Sequence, residues 1–129
     1  MLNELFVYGT LRLGLKNRYT LLLAESATFL GAALVRGQLY RIADYPGLVL
    51  GDDPRDCVRG DLFRLREPDK TLALLDDYEG AEYRRVEAAV SLIDSRESLR
   101  AWTYVYDGDV TGKERIESGD FLEARAGLL

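Results

Sequence analysis

Histidine is missing from all 129 residues. Its absence removes Ser-His-Asp and Cys-His catalysis and most zinc and transition-metal sites. Acid/base chemistry near neutral pH therefore falls to a carboxylate, Lys, Tyr or Cys with a displaced pKa. Cysteine occurs once, at Cys57. No disulfide can form within the chain, and a disulfide-built secreted scaffold is excluded. Cys57 stands near a turn with no histidine to activate it, and reads as an inert thiol. No apolar run approaches the ~20 residues of a membrane span. The start, Met1-Leu2-Asn3-Glu4, lacks the basic region and long apolar run of a signal peptide, so the expected location is the cytoplasm. Basic clusters are equally scarce: Arg84-Arg85 is the one adjacent pair, and the net charge is −5. This balance argues against nucleic acid and anionic membranes as partners, and leaves a small substrate held by local groups open.

What is present suits one domain over residues 1–129 with a proper core. Hydrophobic residues make up 47% and charged residues 30%, ordinary for a globular chain. Leu5-Phe6-Val7-Tyr8 is a short apolar run stopped by Gly9, which predicts a buried strand. Asn17 is placed to cap a short helix through about Glu25. Residues 28–30 and 33–42 read as strands broken by Gly31 and Gly37. Tyr45-Pro46-Gly47 is a turn, with a short strand at 48–50 after it. A further strand covers 58–65. Pro68 opens a helix with Leu72, Leu74 and Leu75 on its apolar side, and Gly80 is placed to end it. Strands at 83–93 and 99–106 flank a turn at 94–97. Ser118 is placed to cap a last helix over 120–125, and the final Gly127-Leu128-Leu129 is expected to fray. Together these predict an α+β fold: a small, mainly antiparallel β-sheet curling into a barrel, with short helices around it.

Three stretches can carry chemistry. In Tyr8-Gly9-Thr10-Leu11-Arg12 a strand ends on glycine, so the backbone can approach a ligand and offer N–H groups to a carboxylate or oxyanion. The competing reading is an ordinary turn. The spacing fits neither a Walker loop nor a dinucleotide fingerprint. In Leu75-Asp76-Asp77-Tyr78-Glu79-Gly80, helical register puts Glu79 on the face of Leu72 and Leu75. Burial, like-charged neighbours and the negative helix end would each raise its pKa toward neutrality. The competing reading is a solvated acidic helix end paired with Arg84 or Arg85. In Ala101-Trp102-Thr103-Tyr104-Val105-Tyr106, alternation puts Trp102, Tyr104 and Tyr106 on one face, to line a cavity or simply to pack.

The first two stretches together resemble the gamma-glutamylcyclotransferase-like family. The matching residues are Phe6 to Arg12 with Gly14 and Asn17, Gly60-Asp61-Leu62-Phe63, and Leu75 to Gly80 with Tyr83 and Arg84. Residues 101–106 and Ser118-Gly119-Asp120 also resemble bacterial members, so the likeness covers nearly the whole chain. The resemblance implies a small mixed β-barrel with a cavity at the first strand's loop. It implies a reaction in which the α-amino group of a gamma-glutamyl substrate attacks its own side-chain carbonyl, closing 5-oxoproline and releasing an amine or amino acid. Glu79 would be the acid/base, and Tyr8, Gly9, Thr10 and Leu11 the substrate loop. Tyr106 or Tyr104 would complete the site, and alternation cannot choose between them. Arg12 would meet a substrate carboxylate or lie in solvent. No metal or cofactor is called for. Specificity for the leaving amine is expected in residues 36–56 and the final segment. The alternative is a binding or interaction domain that retains the cavity without turnover.

Overall fold

The structure, a computed structural model, describes residues 2–12 and 17–126. Six strands and three helices occur among them: β1 Glu4–Val7, α1 Arg18–Ser26, β2 Ala27–Arg41, β3 Pro46–Leu50, β4 Cys57–Leu65, α2 Pro68–Glu79, β5 Tyr83–Leu92, β6 Ser98–Tyr106 and α3 Phe121–Ala126. The strands run in the order β3-β2-β4-β1-β6-β5, and β2 also pairs with β5. That last pairing, through Ala33↔Leu92 and Leu34↔Ser91, closes β2, β4, β1, β6 and β5 into a five-stranded barrel. β3 lies outside the ring on the end of β2, from Gly37↔Leu50 to Arg41↔Pro46. All pairs are antiparallel except β1 with β6.

β1 has no polar face because both of its faces are covered, as a continuous apolar run requires. Phe6 points into the barrel with Val35, Leu39, Leu62, Val90 and Val105. Leu5 and Val7 point out, into a second core with Leu23 of α1, Phe63 and Leu65 of β4, and Leu72 and Leu75 of α2. On β6 the alternation is the same: Ala101 and Val105 go inward, Tyr104 outward onto α2.

Three expectations are corrected. The strands read as 28–30 and 33–42 are one 15-residue strand, because a register shift between Phe29 and Gly31 absorbs the glycine as a bulge. Gly31, at φ 147°, takes a backbone conformation that a side chain would disfavour. Leu74 is 44% exposed. It lies about 200° around the helix from Leu72, and Thr71, which is buried, fills the apolar side with Leu72 and Leu75. Finally, the cap of α3 is Asp120, whose Oδ1 accepts from the Leu122 and Glu123 amides at 3.1 and 3.3 Å. The Ser118 hydroxyl instead accepts from the Asp120 amide at 3.2 Å.

Candidate active site

A cavity of about 370 Å³ opens where β1 ends. One wall is the β1 exit itself, from Phe6 to Leu11. Asp44, Tyr45 and Pro46, in the turn between β2 and β3, form the second. Tyr78, Glu79, Glu82 and Tyr83, around the junction of α2 and β5, form the third, and Tyr104 of β6 completes the lining.

The loop at residues 9–12 is held from three sides. Arg12 donates its amide to the Gly9 carbonyl at 3.1 Å, making a tight turn. Asn17 caps α1 by accepting from the Tyr19 and Thr20 amides at 2.9 and 3.0 Å, and its Nδ2 donates to the Thr10 carbonyl at 2.7 Å. The Thr10 hydroxyl shares a 2.8 Å hydrogen bond with Tyr78 of α2, whose ring stacks 4.0 Å from Tyr19. Gly9 packs against the second wall: a Cβ there would lie 2.9 Å from Pro46 Cγ. Among the described residues, the amides of Gly9, Thr10 and Leu11 donate to no other group of the chain. Gly14 lies outside the described residues.

Glu79 comes into this cavity because α2 continues through it. Burial pushes its carboxyl up to about 7. The expected like-charge contribution is not what raises it: Asp76 is engaged elsewhere, and Asp77 is exposed. Arg85 pairs with Asp76 at 2.8 Å and Arg84 with Asp107 at 3.4 Å, so neither neutralises Glu79.

Tyrosines surround this carboxylate. Tyr8 is buried; its hydroxyl donates to the Tyr104 carbonyl at 2.6 Å and accepts from the Leu48 amide at 3.2 Å. Tyr83 donates to the Pro46 carbonyl. Tyr104 donates to Asp76 Oδ1 at 2.6 Å. Burial raises the pKa of all three, and the charge of Glu79 raises each further. Tyr45 donates to Glu82 at 2.8 Å, and that bond raises its pKa.

Of the two tyrosines that alternation could not separate, Tyr104 lines the cavity. Tyr106 lies against Gly108 and Tyr83, 5.8 Å from the latter's ring, outside the lining. Arg12 is neither solvated nor in the cavity. It is buried in ion pairs with Asp120 at 2.8 Å and Asp61 at 3.6 Å, tying the loop to α3 and β4. Sequence reasoning missed Asp44, Tyr78 and Glu82 as lining residues. Tyr78 adjoins Glu79, and Glu82 follows three positions on across the Gly80 stop, a hint that was available. Asp44 reaches the site only through the pairing of β2 with β3.

Comparisons with known proteins agree with this architecture. The family described as Gamma-glutamyl cyclotransferase, AIG2-like matches residues 5–123. The Escherichia coli K12 protein named gamma-glutamylcyclotransferase family protein YtfP is 37% identical over 123 residues, covering 93% of this chain and 96% of that protein. The solution structure of ytfP from Escherichia coli superposes with a TM-score of 0.63 at 35% identity, over 95% of this chain and 98% of that one. The crystal structure of YkqA from Bacillus subtilis superposes with a TM-score of 0.77 at 26% identity. It aligns with 99% of this chain and 42% of YkqA, so the chain spans less than half of that protein's length. With the family's pattern running from β1 into α3, over the residues that build the cavity and the barrel alike, the chain belongs to the gamma-glutamyl cyclotransferase, AIG2-like family.

Proposed function

We propose that this protein is a cyclotransferase that converts a gamma-glutamyl amine or gamma-glutamyl amino acid into 5-oxoproline and the free amine, with Glu79 as its general acid/base. The observation that carries this reading is the position of Glu79, half-buried in the same cavity as the Gly9–Leu11 turn with its carboxyl pushed up to about 7. A carboxyl so placed takes and returns a proton readily near neutral pH.

The substrate's α-amino group arrives as an ammonium and must lose a proton before it attacks. Glu79 takes that proton. The nitrogen then attacks the side-chain amide carbon, the new C–N bond closes the five-membered ring, and the carbonyl oxygen becomes an oxyanion. The amides of Gly9, Thr10 and Leu11, which donate to no other group among the described residues, suit that oxyanion or the substrate's α-carboxylate. Collapse breaks the bond to the leaving nitrogen, which receives a proton from Glu79. Of the ammonium's three protons, one stays on the lactam nitrogen and two end on the leaving nitrogen, the first through Glu79 as the bond breaks and the second as the released amine becomes an ammonium. The nucleophile belongs to the substrate, so the cavity's main task is to hold it bent for attack. Tyr8 serves this site structurally, its hydroxyl joining β1 to β6 and β3. Tyr104, rather than Tyr106, supplies the later-strand tyrosine.

The test is release of 5-oxoproline from a panel of gamma-glutamyl amines and amino acids, with Glu79→Gln as control. Product from the wild type and none from the variant is the expected result. No product across the panel would leave a binding domain in place of an enzyme, and equal product from both proteins would remove the role of Glu79.

A further inference from the structure

The cavity's hydrogen-bonding inventory is lopsided. Among the described residues its lining contains three carboxylates, Asp44, Glu79 and Glu82, and no Lys or Arg. Four of its five tyrosine hydroxyls have also given their protons away; the fifth, Tyr78, shares one hydrogen bond with the Thr10 hydroxyl. Tyr8 donates to the Tyr104 carbonyl, Tyr45 to Glu82, Tyr83 to the Pro46 carbonyl and Tyr104 to Asp76. A phenol has one O–H; once it is committed, the oxygen can only accept. Tyr8 also accepts from the Leu48 amide. Tyr83 and Tyr104 thus retain acceptor capacity in the lining that they share with Glu79.

We propose that Tyr83 and Tyr104 present acceptor-only hydroxyl oxygens which, with the Glu79 carboxylate, form the receptor for the substrate's α-ammonium, and that Asp76 is the positioning residue that imposes this polarity on Tyr104. The inference rests on the cyclotransferase reading and specifies which end of the substrate meets which wall. An ammonium has three N–H donors and no acceptor; Glu79, Tyr83 and Tyr104 offer three acceptors and no donor. The loop at Gly9–Leu11 is the opposite, a set of amide donors suited to the carboxylate or oxyanion. A gamma-glutamyl group carries one cation and one anion on the same carbon, so these two walls fix its orientation.

The polarity of Tyr104 is secured outside the cavity. Asp76 Oδ1 receives the Tyr104 hydroxyl at 2.6 Å and Arg85 Nε at 2.8 Å, and Oδ2 receives a second Arg85 nitrogen at 3.2 Å. Arg85 is itself held over the Trp102 ring, 4.4 Å from its centroid. A carboxylate held ionised by a two-point guanidinium contact accepts and never donates. It therefore keeps the Tyr104 proton turned away from the substrate.

The experiment compares binding of L-glutamine with binding of glutaramic acid, the same molecule without its α-amino group. Calorimetry is run on the wild type, Asp76→Ala, Tyr104→Phe and the double variant, alongside the 5-oxoproline assay. Charge-assisted hydrogen bonds of this kind predict a wild-type preference for L-glutamine of about tenfold or more. Each single variant should cut that preference at least about threefold, with glutaramic acid affinity within about twofold of wild type. The double variant should be no worse than Tyr104→Phe, because Asp76 acts through that hydroxyl. Asp76 is 42% exposed, so its replacement leaves the fold intact. A preference that survives in both single variants, or losses that add in the double variant, would overturn the assigned polarity while the wild type's 5-oxoproline release stands. A wild type that binds neither compound and releases no 5-oxoproline would overturn this inference together with the cyclotransferase reading.

Discussion

Two clefts flank the last turns of α2, with Asp76 in one and Glu79 in the other. On the outer side, Asp76 lies in a groove with Asp69, Leu72, Ala73, Arg85 and Trp102. Burial pushes its carboxyl up, but the bonds from Arg85 and Tyr104 outweigh that and hold it below its ordinary value. On the inner side, no cation among the described residues offsets Glu79, and burial pushes it up to about 7. Two acids three residues apart are thus driven in opposite directions by their surroundings. One becomes a permanent anion that fixes its neighbours; the other becomes a group able to exchange protons near neutral pH.

The contrast can be broken most severely at Glu79. Glu79→Gln keeps the shape and removes the exchangeable proton; kcat should fall by about 10³-fold, the ordinary range for losing a general acid/base, measured as 5-oxoproline release. The same variant should also be more stable than the wild type, because it removes a carboxyl that is costly to ionise. Below pH 4.5, the ordinary value, both folded and unfolded wild type hold the proton and no penalty exists. Between 4.5 and about 7 the unfolded chain ionises first, so wild-type stability falls as pH rises. Above that window, Glu79→Gln should gain up to about 3 kcal/mol over the wild type, and at pH 4 almost nothing. Chemical denaturation at pH 4 and pH 8.5 checks both halves. A pH-independent gain would show that packing, not ionisation, is responsible.

A smaller effect sharpens the same point. If Glu79 must be ionised to accept the substrate's proton, kcat/KM should rise about tenfold per pH unit below its pKa and level off above about 7. In Asp76→Asn the position of that break should stay, since Asp76 is not what raises Glu79. The smallest effect is on stability at Asp76 itself. Its ion pair with Arg85 is partly exposed, at 42% and 25% side-chain exposure, so Asp76→Asn should cost about 1 kcal/mol or less in denaturant unfolding at neutral pH. A larger loss would mean that the outer cleft carries more of the fold than its exposure implies.

Local pattern in the sequence was enough for much of this. Helical register alone put Glu79 with Leu72 and Leu75; in the structure both leucines pack into the second core and Glu79 lines the cavity. Asn17 as a cap, Gly80 as a stop and the apolar run of β1 were legible because each expresses a rule acting within a few residues. Gly31 misled, because a bulge is a property of two paired strands and not of one. Leu74 misled because its composition suits a core while its angle on the helix does not.

The amino-acid sequence by itself determined which groups were available: no histidine, a carboxylate at the end of an amphipathic helix, and a glycine-ended strand with its loop. Tertiary structure alone decided which of them meet. The closure of β2 onto β5 and the pairing of β3 with β2 bring Asp44, Tyr45 and Pro46 opposite Glu79. Tyr104 was chosen over Tyr106, Arg12 was withdrawn into ion pairs with Asp61 and Asp120, and Asp76 was separated from Glu79 by the wall between two clefts. Residue type sets what a group can do, whereas the partners and solvent left to it after folding set what it does. Those partners lie as many as 108 positions away along the chain, as Asp120 does from Arg12.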